Sequence, residues 1–297
     1  MMRWFLGVLA VLALAGVAVW QLVPGPRLLS LADAVAGGGR GVELVGDAVP
    51  FGDHGQSLDV WRPTGATGGR RPVLVFFYGG GWVHGDRRGY AFVARAFARA
   101  GFVVVVPDYR KVPGVRFPAF VEDGAEAVRW TRDHVAGFGG DPQRIALSGH
   151  SAGGYIAAML ALDRRWLVAA GVDPAIVGAA VPMCGPYDFY PYTGRAVAAF
   201  AGVRDPAATQ PITFARADAP PMLLISAGDD MQVRSRNAIN LAAALRRRGA
   251  RVEAISYPGL SHENVAMALS VPFRGKAPVL DDTVRFVRAA MGEGDGR

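Results

Sequence analysis

One stretch limits what this chain can fold into more than any other: Gly149-His150-Ser151-Ala152-Gly153-Gly154. It follows Arg144-Ile145-Ala146-Leu147-Ser148, a short apolar run of strand character, and leads into Tyr155 to Leu162, which reads as a buried helix. A serine lifted above a sheet on so sharp a strand-to-helix turn takes a strained backbone. Bulky residues two positions to either side would strike the adjacent strands. Glycines at 149 and 153 remove that clash and leave the hydroxyl exposed. The helix start behind Ser151 adds unpaired N–H groups and a positive dipole end, both favourable to a developing oxyanion. The competing reading is a glycine-rich turn without chemistry, and the flanking strand and helix argue against it.

The rest of the chain supplies the sheet that such a turn needs. Gly41 to Phe51 and Ser57 to Arg62 read as two strands joined by Gly52-Asp53-His54-Gly55, a hairpin signal. Val73 to Tyr78 and Phe102 to Val106 are continuous apolar runs of the kind buried on both faces of a parallel sheet. Ala179 to Met183, Met222 to Ser226 and Val252 to Tyr257 read as further strands. Helices are expected from Asp86 to Ala100, with Gly101 as the stop, and at Phe120 to Val135, Ser235 to Arg248 and Leu280 to Met291. An antiparallel start followed by strands alternating with helices predicts an α/β domain with an eight-stranded, mostly parallel sheet. The longest irregular stretch, Gly185 to Pro220, carries Tyr187, Phe189, Tyr190 and Tyr192. A loop of that length is usually functional, so it reads as a small cap, with packing on the domain top as the other reading.

With 297 residues, about half of them apolar at 51%, one large core suffices. The net charge of +7 comes almost wholly from arginine, Lys111 and Lys276 being the only lysines. The positive residues are scattered, and the densest run, Arg246-Arg247-Arg248, falls at an expected helix C-terminus where cations offset the dipole. A nucleic-acid partner is therefore not expected. Cys184 stands alone, so no internal disulfide forms.

The N-terminus has a different character. Trp4 to Trp20 is free of charge, and with Gln21-Leu22-Val23 it reaches about 20 residues, roughly 30 Å as a helix. Tryptophans stand near both ends and Pro24-Gly25-Pro26 follows. Residues 1–27 are expected to be a membrane anchor built on this hydrophobic helix. The alternative is a signal segment cleaved after Ala13-Leu14-Ala15. Residues 28–297 would form the catalytic domain, facing the periplasm or cell exterior.

A serine hydroxyl is a poor nucleophile without a base, and the base needs an orienting acid. Of five histidines, His54, His84, His134 and His150 precede Ser151, and only His262 follows it, in the order a nucleophile elbow calls for. The side chain of His150, next to the serine, is expected to point elsewhere. For the acid, Gly228-Asp229-Asp230-Met231-Gln232-Val233 follows a strand, and only one of two adjacent aspartates can face His262. Oxyanion donors are expected from Tyr78-Gly79-Gly80-Gly81-Trp82, where Gly80 and Gly81 join the N–H of Ala152. No cofactor and no metal are expected, because no His/Cys/Asp group has ligand spacing.

Together with Gly85-Asp86, Asp108-Tyr109-Arg110 and Gly139-Gly140-Asp141-Pro142, these motifs resemble the α/β-hydrolase superfamily over roughly residues 40 to 290. They look most like its hormone-sensitive-lipase-like carboxylesterases, including feruloyl-esterase-like and prenylcysteine-methylesterase-like proteins. The resemblance implies an α/β-hydrolase fold with helices on both faces of the sheet and a Ser151–His262–Asp230 triad. It favours Asp230 because the family's acid commonly stands in D-x-x-V, which Asp230 to Val233 fits. Tyr78 departs from the histidine many members carry there, which weakens analogy over substrate. The expected activity is hydrolysis of a small-molecule carboxylic ester. Alternatives are an amidase of arylformamidase type and a retired hydrolase scaffold that only binds ligand.

Overall fold

In the computed structural model, which describes residues 25–65 and 69–292, the chain builds one eight-stranded sheet. The strands are β1 (Val42–Phe51), β2 (Gln56–Pro63), β3 (Arg71–Phe77), β4 (Val103–Pro107), β5 (Gly140–His150), β6 (Val177–Met183), β7 (Met222–Ala227) and β8 (Val252–Tyr257), in the order β1-β2-β4-β3-β5-β6-β7-β8. β1, β2 and β4 pair antiparallel; every other pair is parallel. Phe51 faces Gln56 across the predicted hairpin turn. From Pro72 to Phe77 each residue of β3 is buried, as an apolar run covered on both faces requires.

Helices cover both faces. α1 (Gly25–Val35), α2 (Ala91–Arg99) and α9 (Val279–Ala290) lie on one; α3 (Ala119–His134), α4 (Ala152–Leu162) and α7 (Arg236–Arg247) lie on the other. Between them run the short helices α5 (Arg164–Ala169), α6 (Arg195–Ala199) and α8 (His262–Met267). Leu223 and Ile225 of β7 join the larger core while Met222 and Leu224 join a second one with Leu241 and Leu245 of α7, as strand alternation dictates.

One expectation needs correction. The single helix from Asp86 to Ala100 is split: Asp86 caps a 3-10 turn, Arg87–Tyr90, by accepting from the Gly89 amide, and α2 starts only at Ala91. Ahead of β1, α1 is fixed by a buried ion pair. Asp33 accepts from Arg95 Nε at 2.8 Å and from the Val271 amide at 2.8 Å, and Ser30 Oγ donates to the Gly89 carbonyl at 2.7 Å. The expected hydrophobic helix at residues 4–23 lies outside the described residues; among the described residues no helix is long and apolar enough to cross a membrane.

Candidate active site

β5 delivers Ser151 at its C-terminal edge, with φ 57° and ψ −119°. The flanking glycines are sterically required. A Cβ on Gly153 would lie 2.0 Å from the Phe77 carbonyl oxygen, and one on Gly149 2.4 Å from that of Gly153. Of four non-glycine residues with positive φ among the described residues, Trp82 (60°), Ser151 and Cys184 (48°) border this turn. Each such conformation costs about 1–3 kcal/mol and persists only where the surroundings enforce it.

His262 opens α8 directly after the β8 loop. Its Nε2 lies 2.8 Å from Ser151 Oγ and its Nδ1 2.7 Å from Asp230 Oδ2. Asp230 is 5% exposed, whereas its neighbour Asp229 is exposed. The other oxygen, Oδ1, accepts from the Gln232 amide at 2.9 Å and the Val233 amide at 2.7 Å. Burial alone would push this carboxyl up, but the hydrogen bonds from His262 and the two amides outweigh it and hold the group below its ordinary range. The carboxylate is therefore ionised and able to orient an Nδ1–H.

Gly80 and Gly81 follow β3 on the adjoining loop. Their N–H groups and that of Ala152 meet no acceptor among the described residues. The loop is braced from behind. Tyr78 donates to Asp108 Oδ1 at 2.9 Å, and Lys111 donates to the Tyr78 hydroxyl at 2.9 Å. Arg87 bridges Asp59 and Asp108, and the Val112 amide bonds the Trp82 carbonyl at 2.9 Å. Tyr78, stacked 4.6 Å from Tyr109, is fully buried and so acts as a brace rather than a group facing the serine. Burial lifts its hydroxyl well above the ordinary phenol range, so it stays a neutral donor.

Three neighbours of the site escaped the sequence reading. His150 does not turn away: its ring lies 4.8 Å from that of His262, and its Nε2 is 2.8 Å from the His262 carbonyl. Cys184, in the loop after β6, brings its buried thiol among His150 and His262 and against Asp230, and burial pushes that thiol far up, leaving it a neutral, inert group. Arg195, at the start of α6, lays its stem on Gly81, so that a Cβ there would lie 2.6 Å from Arg195 Cδ. The stretch 185–220 thus reaches the glycine loop. Its aromatics divide: Tyr187 is fully buried in the second core, Phe189 stacks 6.4 Å from Trp82, and Tyr190 is 57% exposed. The alternation of β5 placed His150 on one face of the sheet, but only the position of the β8 loop reveals what that face meets.

The family profile described as BD-FAE matches residues 58–245. Esterase LipQ of Mycobacterium tuberculosis is 31% identical over 255 residues, covering 77% of this chain and 58% of that protein. Isoprenylcysteine alpha-carbonyl methylesterase ICME of Arabidopsis thaliana is 26% identical over 275 residues, covering 83% of this chain and 63% of that protein. The chain therefore spans about six tenths of the length of these curated relatives. Among solved structures, the hyperthermophilic esterase from the archaeon Pyrobaculum calidifontis superposes with a TM-score of 0.72 at 26% identity, covering 89% of this chain and 92% of that one.

Proposed function

The chain belongs to the BD-FAE family, and from that membership we propose that it is a serine carboxylic-ester hydrolase working through Ser151, His262 and Asp230. The observation that carries the reading is the unbroken hydrogen-bonded line from Asp230 Oδ2 through both nitrogens of His262 to Ser151 Oγ. As Ser151 Oγ attacks the ester carbonyl, Nε2 of His262 takes its proton and Asp230 balances the imidazolium. The carbonyl oxygen, now an oxyanion, accepts from the N–H groups of Gly80, Gly81 and Ala152. Each such donor is worth about 3 kcal/mol of transition-state stabilisation. Collapse expels the alcohol, which takes the proton from Nε2 and leaves an acyl group on Ser151. Water, deprotonated by the same nitrogen, then releases the acid and restores the serine.

The stretch 185–220 forms the cap over this site in our reading, supported by the contact of Arg195 with Gly81. A panel of p-nitrophenyl esters of rising acyl length, assayed beside an aryl formamide, tests the reaction class. Turnover of at least one ester with no comparable cleavage of the formamide is expected. Preference for the formamide would make the protein an amidase, and saturable binding without turnover would make it a retired scaffold.

For residues 4–23 we propose a retained membrane helix with the catalytic domain on the periplasmic or outer side. The support is the charge-free length with tryptophan near both ends. Cell fractionation with mass spectrometry of the N-terminus is expected to find an intact Met1 or Met2 in the membrane pellet, and protease added to spheroplasts is expected to digest the domain. A soluble protein beginning near Gly16 would mean a cleaved signal, and protection in spheroplasts would put the domain in the cytoplasm.

A further inference from the structure

His150 takes no part in the reaction outlined above, yet it is 4% exposed and touches both halves of the site. Its Nε2 lies 2.8 Å from the main-chain carbonyl of His262, and a carbonyl only accepts. The ring must therefore carry its hydrogen on Nε2, leaving Nδ1 as a bare acceptor. Among the described residues no donor reaches that Nδ1. It faces the glycine loop, where a Cβ on Gly79 would stand 3.0 Å away, beside the Tyr90 hydroxyl. The two histidine rings meet at 4.8 Å and 48°.

The groups around this ring set its charge. His262 and Asp230 come from the loops after β8 and β7, the Cys184 thiol from the loop after β6, and Tyr90 from the turn before α2. Burial, and then the nearby positive charge available to His262, push His150 down to about 3, while burial holds Tyr90 up at about 12. An imidazole in this place stays neutral beside a partner that must become an imidazolium. A cation there would repel the charged His262, and an anion would trap its proton. A neutral ring that donates one hydrogen bond avoids both and leaves Asp230 to balance the imidazolium.

We infer that His150 is a positioning residue of this site: its Nε2–H pins the main chain of His262, so that the two hydrogen bonds of the His262 ring fall on Ser151 and Asp230 together. The inference rests on the proposed roles of those three residues. Three side chains hold His262, two at its ring and one at its main chain, and only the last is His150. Losing it leaves the base present and loosely aimed, which slows the chemical step and spares substrate binding.

Two variants separate the donor from the bulk. His150→Gln carries an amide nitrogen at about the reach of imidazole Nε2, and His150→Leu fills the space without a donor. In the purified full-length chain, His150→Leu is expected to lower kcat about 10- to 100-fold with KM within about threefold of wild type, and His150→Gln to recover most of that loss. Equal kcat for wild type and a folded His150→Leu would overturn the inference. So would equal losses in both variants accompanied by equal drops in Tm, because that pattern means packing. A readout independent of hydrolysis keeps this distinct from the ester-hydrolase reading: long-range 1H–15N spectra of the five histidines in wild-type protein. One ring in the Nε2–H form, unchanged down to about pH 5 and absent from His150→Leu, is expected. An Nδ1–H form, or titration of that ring near its ordinary range, would refute the inference even in an active enzyme.

Discussion

Ser151→Ala is expected to remove ester turnover, lowering kcat by about 10⁶ while the protein stays folded. The two halves of that expectation have separate causes. Among the described residues Oγ is the hydrogen-bond partner of His262 Nε2, at 2.8 Å, so without it the base has nothing to deprotonate. The fold survives because the close contacts of the turn belong to Gly149 and Gly153, and alanine accepts the 57° φ of Ser151 as readily as serine does. The measurement is kcat on the best p-nitrophenyl ester, with Tm alongside and active-site titration to exclude contaminating enzyme. A variant keeping a tenth of wild-type activity would remove Ser151 from the reaction.

The second large effect is Asp230→Asn, expected to cost about 10⁴ in kcat, against little for Asp229→Asn. Asp230 uses its two oxygens for different work: Oδ1 takes two backbone amides and Oδ2 takes His262. An asparagine has one oxygen for both. With that oxygen on the amides, its NH₂ faces His262 Nδ1, which must then accept, so the hydrogen moves to Nε2 and the ring cannot receive the serine proton. With the amide flipped, the NH₂ confronts two N–H donors. Asp229 is exposed, and among the described residues only its main chain is engaged, donating to the Leu260 carbonyl at 3.0 Å. Comparing the two variants on one ester decides the matter, and the reverse ranking would move the acid to Asp229.

Most of the sheet was legible because its strands are nearly pure runs of apolar and β-branched residues, such as Val73 to Phe77 and Val103 to Val106, and because Gly52 to Gly55 signals a hairpin. The line of Ser151, His262 and Asp230 was legible for a different reason. The nucleophile turn admits few sequences, and the order of residues along the chain left one histidine after the serine. The choice between Asp229 and Asp230 came only from family likeness, and its physical basis, the Val233 amide on Oδ1, needed three dimensions.

What stayed hidden depends on contacts between distant segments. Asp33 looks like any polar helix residue until Arg95 and the Val271 amide arrive from elsewhere in the chain. The split between the 3-10 turn and α2 follows from packing too, since Gly89 in that turn takes Pro26 and Ser30 of α1 against it. The contact between Arg195 and Gly81 joins an irregular stretch to a loop over a hundred positions away, beyond the reach of periodicity.

The seating of α1 bears on reach. α1, described from Gly25, is bolted down along its length: Arg27 to Asp86, Ser30 to Gly89, and Asp33 to Arg95. Breaking a buried pair such as the last costs about 3–5 kcal/mol, so α1 does not peel away to act as slack. The anchor proposed in residues 4–23 would then meet a catalytic body that contributes no slack of its own from α1 onward. Any freedom in the reach of the site would then come from the residues before Gly25. Inserting a flexible glycine-serine segment between Pro24 and Gly25 would lengthen that reach without altering the chemistry at Ser151.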